Sequence, residues 1–156
     1  MPRTANTIEI NAPADQVFSL VHDYDRRLEW DTMLSEATIL GGEVEADVGV
    51  ETRCVGGWRS LWIPMVTRYV SFRPGEVAAV ELTGRPPFFE HFAATIRHRD
   101  LGNGRSSVSY IYSFRAKPRF LAGLLEPIMD RALRREVTGR LESLKSVIEK
   151  RGLRIS

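Results

Sequence analysis

The chain has 156 residues, which fits one domain that buries about two-thirds of its unfolded surface around a single core. It carries 22 basic and 20 acidic residues with both signs interspersed, so no basic stripe for nucleic acid is present. Its one cysteine, Cys54, excludes an internal disulfide. The start MPRTANTIEI lacks the apolar run of a signal peptide, and no stretch reaches the ~20 apolar residues of a membrane span. We therefore expect a cytoplasmic protein without an integral membrane segment.

The first 30 residues predict one strand and two short helices. Residues 7–10 alternate polar and apolar side chains as a half-buried strand does. A short helix is expected to follow Pro13, which suits a first helical turn, and to end near His22. Residues 24–30 predict a second short helix or a turn.

Residues 34–115 predict six strands in a meander, because turn signals interrupt the apolar alternation. The signals are Gly41-Gly42, Gly56-Gly57, Pro74-Gly75, residues 84–87 and Gly102-Asn103-Gly104. Directly opposed residues of a hairpin share one face of the sheet, so each assumed turn predicts a set of pairs.

Three turns predict three registers. Loops at residues 102–104 and 73–76 bring together residues of one apolar face: Phe92 with Phe114, Ala94 with Tyr112, Ile96 with Tyr110, Tyr69 with Val80 and Thr67 with Leu82. The outer face gains the charge pair Arg68 with Glu81. A two-residue turn at Gly56-Gly57 pairs Thr52 with Leu61 and Cys54 with Arg59. The last two hairpins share a strand and assign it the same inward face.

Residues 120–151 predict one long helix, because apolar residues recur along an arc of ~120° at 3.6 residues per turn. The arc contains Met129, Leu133, Val137, Leu141, Leu144 and Ile148. Upstream of it the helix is apolar almost all round, so its first turns are predicted to be the most enclosed, with a bend at Pro127. Arg140 falls inside the arc, and an ion pair with Glu136 one turn earlier explains its position.

The opening of the chain resembles that of a known superfamily. The run Ile8-Glu9-Ile10-Asn11-Ala12-Pro13, followed by Val17-Phe18, Val21, Asp23 and Trp30-Asp31, is similar to the opening of START and Bet v 1-like (SRPBCC) proteins, especially their bacterial polyketide cyclase/dehydrase-like branch. The resemblance implies an α+β helix-grip domain over residues 1–156, with a seven-stranded curved antiparallel sheet around a long C-terminal helix. It also implies a cavity for hydrophobic ligands, in a superfamily that includes carriers, aromatase/cyclases, quinone-binding proteins and chaperone regulators.

The inward faces of the predicted strands and helix form the expected ligand-binding wall. Its residues are Thr52, Leu61, Ile63, Met65, Tyr69, Val80, Leu82, Phe92, Ala94, Ile96, Tyr110, Tyr112, Phe114, Phe120, Leu124, Leu125, Ile128, Met129 and Leu133. The turns at residues 56–58 and 84–89 and the start of the long helix at 117–120 are expected at its mouth, as an aromatic rim carrying arginines. Packing of these rings between loops explains the rim equally well.

The candidate catalytic residues are three tyrosines and one arginine: Tyr69, Tyr110, Tyr112 and Arg59. Buried tyrosine hydroxyls need hydrogen-bond partners, which a ligand carbonyl can supply, although each tyrosine alone is more typical of a core residue. The assumed hairpin turns Arg59 inward opposite Cys54, where it can pair with a carboxylate or enolate or reach back to water.

The sequence gives little support for a metal site, a cofactor site or a catalytic nucleophile. The three histidines, His22, His91 and His98, lack zinc-ligand spacing, and no nucleophile elbow, P-loop or dinucleotide fingerprint is present, so we expect no metal and no cofactor. Cys54 has no histidine on its own hairpin to activate it. The run 22–25, His-Asp-Tyr-Asp, is interpreted as a solvated turn at a helix end.

Three functional hypotheses remain. The first is binding of a small hydrophobic molecule that is polyketide-, lipid- or quinone-like. The second is an enzyme of the polyketide cyclase, aromatase or dehydratase kind, whose tyrosines and Arg59 polarise carbonyls or stabilise enolates. The third is a protein-interaction module that uses the aromatic rim, and a homodimer or a protein partner stays open. Only the enzyme requires a group inside the cavity that is positioned for proton transfer.

Overall fold

The computed structural model describes residues 3–32, 34–57 and 63–151. Ten elements follow one another in these ranges: β1 (Arg3–Ile10), α1 (Ala14–Val21), α2 (Arg27–Trp30), β2 (Leu34–Ile39), β3 (Glu51–Gly56), β4 (Pro64–Arg73), β5 (Val77–Leu82), β6 (Phe89–Gly102), β7 (Arg105–Ala116) and α3 (Arg119–Arg151). The described strands form a seven-stranded antiparallel sheet in the order β1-β7-β6-β5-β4-β3-β2. The predicted helix-grip architecture is confirmed.

The first helix begins where the sequence predicts. Pro13 has a φ of −63° and an extended ψ of 148°, and its carbonyl accepts the N–H of Val17 at 3.1 Å. Asp15 stands in the first turn, where a carboxylate favours the positive end of the helix dipole. Val17 and Val21 are fully buried against the sheet, so α1 covers one end of its inner face.

The registers predicted from two of the three turns are confirmed. β6 and β7 pair Phe92 with Phe114 and Ala94 with Tyr112, and the neighbouring hairpin pairs Arg68 with Glu81, Tyr69 with Val80 and Thr67 with Leu82. The hairpin of β4 and β5 also contains a β-bulge that was not predicted from the sequence. The register shifts between Tyr69 and Ser71, so Val70 is an extra residue and Phe72 pairs with Ala78.

The register predicted for β3 and β4 is wrong. Thr52 pairs with Thr67 rather than Leu61, and Cys54 pairs with Met65 rather than Arg59. Gly56-Gly57 is not a tight turn, because β3 ends at Gly56 and β4 begins only at Pro64. The partners are displaced by six residues, an even number, so the predicted inward face of β3 is still correct. Trp58, Arg59 and Leu61 lie outside the described residues.

The long helix packs against β1, β7 and α2. Its C-terminal half supplies the core, with Val137, Leu141, Leu144 and Ile148 each at most 5% exposed. The prediction that its first turns are the most enclosed is wrong, because Phe120 is 85% exposed and its neighbours along the same face, Leu124 and Ile128, are also exposed. Apolar composition alone did not show that the described strands leave this face uncovered. Pro127 lies inside α3, and the bend expected there stays a prediction.

The two ends of the molecule can be told apart by their contacts. At one end Lys145 of α3 donates to the carbonyl of Glu9, and Glu149 accepts the N–H of Asn11, so the helix C-terminus is fixed beside the end of β1. At the other end the N–H of Lys117 donates to the carbonyl of Phe88 at 3.0 Å. In the described part of the chain, no helix is both long and apolar enough to cross a bilayer.

Candidate ligand-binding cavity

A cavity of about 970 Å³ lies between α3 and the inner face of β3 to β6. This volume is at the upper end of the ~300 to 1,000 Å³ typical of ligand pockets. Most of its wall is apolar: Leu34, Ile63, Met65, Ala78, Val80, Phe88, Phe89, Phe92, Ala94, Ile96, Leu125, Met129, Ala132 and Leu133. Ala132 and Arg135 of α3 and Phe88 of the β5–β6 loop are exposed to solvent, so the cavity opens beside them.

The structure brings twelve of the predicted ligand-binding residues to this wall. They are Thr52, Ile63, Met65, Tyr69, Val80, Phe92, Ala94, Ile96, Tyr110, Leu125, Met129 and Leu133. The strand residues among them share a face through alternation, which the observed registers carry from one strand to the next. That these residues contact a ligand stays a prediction.

Six other predicted residues do not line the cavity: Leu82, Tyr112, Phe114, Phe120, Leu124 and Ile128. Tyr112 and Phe114 face inward but lie on β7, which α3 covers directly, so both are fully buried in the core. The hydroxyl of Tyr112 donates to Oδ1 of Asp130 on α3 at 3.1 Å. The exposed residues of α3 point away from the sheet. Tyr69 and Tyr110 are thus the two candidate catalytic tyrosines that reach the cavity.

A histidine and two tyrosines form a hydrogen-bonded group on the cavity wall. The Tyr69 hydroxyl lies 2.8 Å from Nδ1 of His22 and 2.9 Å from the hydroxyl of Tyr24, and all three side chains line the cavity. The interpretation of residues 22–25 as a solvated turn is therefore wrong for two of its four members. His22 ends α1 on the side that faces β4, where Phe18 and Phe72 also surround its ring.

In this histidine–tyrosine group (His22, Tyr24 and Tyr69), burial keeps His22 and Tyr69 uncharged at neutral pH. Burial lowers the pKa of His22 well below its usual value, and the charge of Arg27 lowers it further. Burial also raises the pKa of Tyr69 well above the ordinary phenol value. Neutral imidazole and phenol groups both donate and accept hydrogen bonds, so the group can hold a ligand hydroxyl or polarise a ligand carbonyl.

A second polar group contains two arginines and one aspartate. Nε of Arg27 donates to Oδ2 of Asp31 at 2.8 Å, and Nη2 of Arg140 donates to the same oxygen. Nη1 of Arg140 donates to the hydroxyl of Tyr110 at 3.2 Å. The predicted pairing of Arg140 with Glu136 is wrong, because the helix turns Arg140 toward α2 and Asp31. Both arginines line the cavity and are at most 6% exposed.

This arginine–aspartate group (Arg27, Asp31 and Arg140) is fully ionised. Burial alone raises the pKa of Asp31, but the two guanidinium groups outweigh burial and lower it. Burial alone lowers the pKa of each arginine, and the Asp31 carboxylate reverses this effect. The rings of Tyr24 and Trp30 also lie 5.3 and 5.0 Å from the Arg27 guanidinium. Two positive charges and one negative charge leave the group with a net charge of +1.

Cys54 lines the cavity as a thiol. Burial raises its pKa, which disfavours the thiolate that a nucleophile or a metal ligand requires. Among the described residues, no three His, Cys, Asp or Glu side chains are grouped so that they can hold a metal ion. The described wall thus offers neither a thiolate nor a group of metal ligands.

The mouth contains part of the aromatic rim expected from the sequence. The Phe88–Lys117 hydrogen bond joins two of the three expected segments, and Arg119 pairs with Glu90 at 3.0 Å. Phe88 and Phe89 line the cavity, whereas Phe120 points to solvent. Phe88 has a φ of 68°, an unusual value for a bulky residue.

The comparisons with known proteins agree with this geometry. Residues 1–149 match the family described as polyketide cyclase / dehydrase and lipid transport. No curated protein sequence matches the chain. A START superfamily protein from Mycobacterium smegmatis superposes with a TM-score of 0.67 at 16% identity, over 91% of this chain and 98% of its own.

Two solved structures of aromatase/cyclases also share the fold. ZhuI from Streptomyces sp. R1128 has a TM-score of 0.73 at 17% identity, over 94% of this chain and 95% of its own. The di-domain ARO/CYC BexL from the BE-7585A biosynthetic pathway has a TM-score of 0.73 at 16% identity, over 96% of this chain. The chain spans 47% of BexL, about half of its length. The family match over nearly the whole chain shows that the chain belongs to the polyketide cyclase / dehydrase and lipid transport family.

Proposed function

We propose that the protein binds a small hydrophobic molecule, polyketide-, lipid- or quinone-like, in the cavity beneath α3. The observation that carries the proposal is the cavity itself, about 970 Å³ with a mainly apolar wall. A dry void costs about 24 cal/mol per Å³, so a cavity of this size cannot stay empty in a domain whose stability is typically ~5 to 15 kcal/mol. The cavity must therefore be filled by water or by a ligand.

An apolar ligand is the more favourable occupant of most of this volume. Water in a cavity needs two to four polar partners, which the wall offers mainly at the two polar groups. A hydrophobic molecule instead gains ~25 cal/mol for each Å² of apolar surface removed from water. The two polar groups then orient the ligand within an otherwise apolar site.

The test measures ligand binding to the unaltered protein and to a variant with a narrower cavity. Fatty acids, quinones, sterols and flavonoids are screened by thermal shift and by displacement of a fluorescent apolar probe. Leu133→Trp narrows the cavity and is expected to weaken binding at least tenfold. Leu124→Trp is the matched control, because Leu124 lies on the same helix outside the cavity. A screen in which no compound raises the melting temperature or displaces the probe contradicts the proposal.

A polyketide cyclase or dehydratase-type enzyme is the second candidate function. The observation in its favour is the histidine–tyrosine group on the cavity wall, since a neutral imidazole beside a phenol can accept one proton and donate another. Aromatic and polyketide precursors that bind are tested for turnover. If this group acts in the transition state, Tyr69→Phe and His22→Gln lower kcat with little change in KM, while Tyr112→Phe leaves both unchanged. Tight binding without turnover would contradict the enzyme hypothesis and support binding as the sole function.

A further inference from the structure

The arginine–aspartate group presents a surplus of positive charge to the cavity. Arg27 and Arg140 line the wall, whereas Asp31 is 2% exposed and neutralises only one of them. The other charged residues of the described wall are Arg135 and Glu136, whose charges cancel. A desolvated charge without a counterion is unfavourable, so this region favours an anion from the ligand.

The two guanidinium groups also have hydrogen-bond donors to spare. Each carries five N–H bonds. Arg27 donates through Nε to Asp31 and through Nη1 to the carbonyl of Val21, and Nη2 makes no hydrogen bond within the described ranges. Arg140 donates through Nη1 and Nη2. Arg27 and Arg140 are neighbours because they share one oxygen of Asp31, and Nε of Arg140 is buried without a hydrogen-bond partner among the described residues.

Tyr110 adds a donor to the same place. Its hydroxyl oxygen accepts the N–H of Arg140 at 3.2 Å, and its own O–H bond has no acceptor within the described ranges. Tyr110 lines the cavity beside Ile96 on the neighbouring strand. Guanidinium and phenol groups can both donate to the two oxygens of a carboxylate, which prefers charge-assisted and bidentate contacts.

We propose that the ligand is a hydrophobic carboxylic acid, whose carboxylate binds Arg27, Arg140 and Tyr110 while its apolar part fills the rest of the cavity. This inference rests on the proposed binding function and names the class of its ligand. A chain-like fatty acid and a ring-bearing acid present the same head group. The apolar wall of Phe92, Met129 and Leu133 suits both.

The test compares each acid with the alcohol of the same skeleton on the unaltered protein at pH 7.5. Dodecanoic acid is paired with 1-dodecanol, and 1-pyrenebutyric acid with 1-pyrenebutanol, and affinities are read by probe displacement or by pyrene fluorescence. The acid is expected to bind at least tenfold more tightly than its alcohol in one pair or both. The pair with the tighter acid shows whether the ligand is chain-like or ring-bearing.

Variants then locate the preference. Arg140→Met is expected to reduce the acid-to-alcohol ratio at least fivefold with little effect on the alcohol. Arg134→Met is the matched control, because Arg134 lies on the same helix and pairs with Asp130 outside the cavity. If Arg140→Met does not fold, the acid–alcohol comparison on the unaltered protein still tests whether the ligand is a carboxylic acid. Equal affinity for acid and alcohol overturns the acid proposal and leaves the binding function standing. Failure of all four compounds to bind overturns both.

Discussion

The helix α3 contributes to both ends of the cavity, but it is buried at one end and exposed at the other. At the closed end, α1, α2 and residues 137–148 of α3 bury the core and the ionised arginine–aspartate group. At the open end, residues 119–129 of α3 and the β5–β6 loop leave large apolar side chains such as Phe120 and Leu124 in solvent. Stability should therefore be concentrated at the closed end, and substitutions at the open end should change access to the cavity with little effect on folding.

The largest difference is expected between the buried arginine of the closed end and an exposed arginine outside it on α3. Arg140→Met removes one partner of a buried ion pair and should lower the free energy of unfolding by about 3 to 5 kcal/mol. Arg134→Met breaks the exposed pair with Asp130 and should cost about 0.5 kcal/mol or less. Urea denaturation of both variants measures the difference. Equal effects would show that the arginine–aspartate group does not stabilise the closed end.

The leucines of α3 give the second comparison. Leu144 is fully buried, so Leu144→Ala should lower the free energy of unfolding by about 3 to 5 kcal/mol through lost burial and a residual cavity. Leu124 is 68% exposed, and Leu124→Ala should remain within about 0.5 kcal/mol of the parent. Thermal and urea unfolding serve as the readout. A loss above 2 kcal/mol for Leu124→Ala would mean that the open end is covered in solution.

The buried histidines should make the closed end sensitive to acid. Burial lowers the pKa of His98 to about 4, whereas an unfolded histidine titrates near 6.5. Between these values the unfolded chain binds more protons, so stability is complete above pH 6.5 and falls as the pH falls. His98 alone should account for roughly 2 kcal/mol between pH 7 and pH 5, and His22 acts in the same direction.

Urea unfolding at pH 7, 6 and 5 measures this loss. His98→Gln should flatten the dependence of stability on pH, and the double variant with His22→Gln should remove most of it. An unchanged slope in the double variant would assign the acid sensitivity to other groups.

The smallest effect is expected where α3 passes from the open end to the closed end. Tyr112 and Thr4 both donate to Asp130, at 3.1 and 2.8 Å. Tyr112→Phe removes one of these hydrogen bonds and should cost about 1 kcal/mol of stability. Because Tyr112 does not line the cavity, ligand affinity should stay within twofold, which a binding titration can check.

The parts of the fold that could be predicted are those with local signals. A Gly-Asn-Gly loop and strict alternation specify the pairing of β6 with β7, and these strands follow the prediction. Gly56-Gly57 has the same appearance as a tight turn, but nothing local shows that pairing resumes only at Pro64. A displacement by an even number of residues keeps each side chain on its face of the sheet. The inward face of β3 was therefore predicted correctly, although its paired residues were not.

The polar groups of the site could not be predicted, because their partners are distant in sequence. His22 meets Tyr69 across 47 positions, and Arg140 meets Asp31 across 109. Pattern analysis of one helix offers Glu136 as the partner of Arg140, since only residues three or four apart are neighbours on a helix. The signal that could have identified the site was Arg140, a charged residue inside the apolar arc of α3. A charged residue in such a position needs a buried partner, which can lie on another element.

The extra residue in β4 has a consequence for the shape of the sheet. In a regular strand, residues three apart point to opposite faces, yet Tyr69 and Phe72 both meet the ring of His22. The bulge at Val70 makes this possible and bends the strand, which curls that corner of the sheet toward α1. Deleting Val70 should straighten β4 and keep Phe72 opposite Ala78 on the inner face, because Tyr69 and Phe72 would then be two residues apart. Without the bend, that corner of the sheet would curl less toward α1, and the packing that closes the cavity beside His22 would loosen.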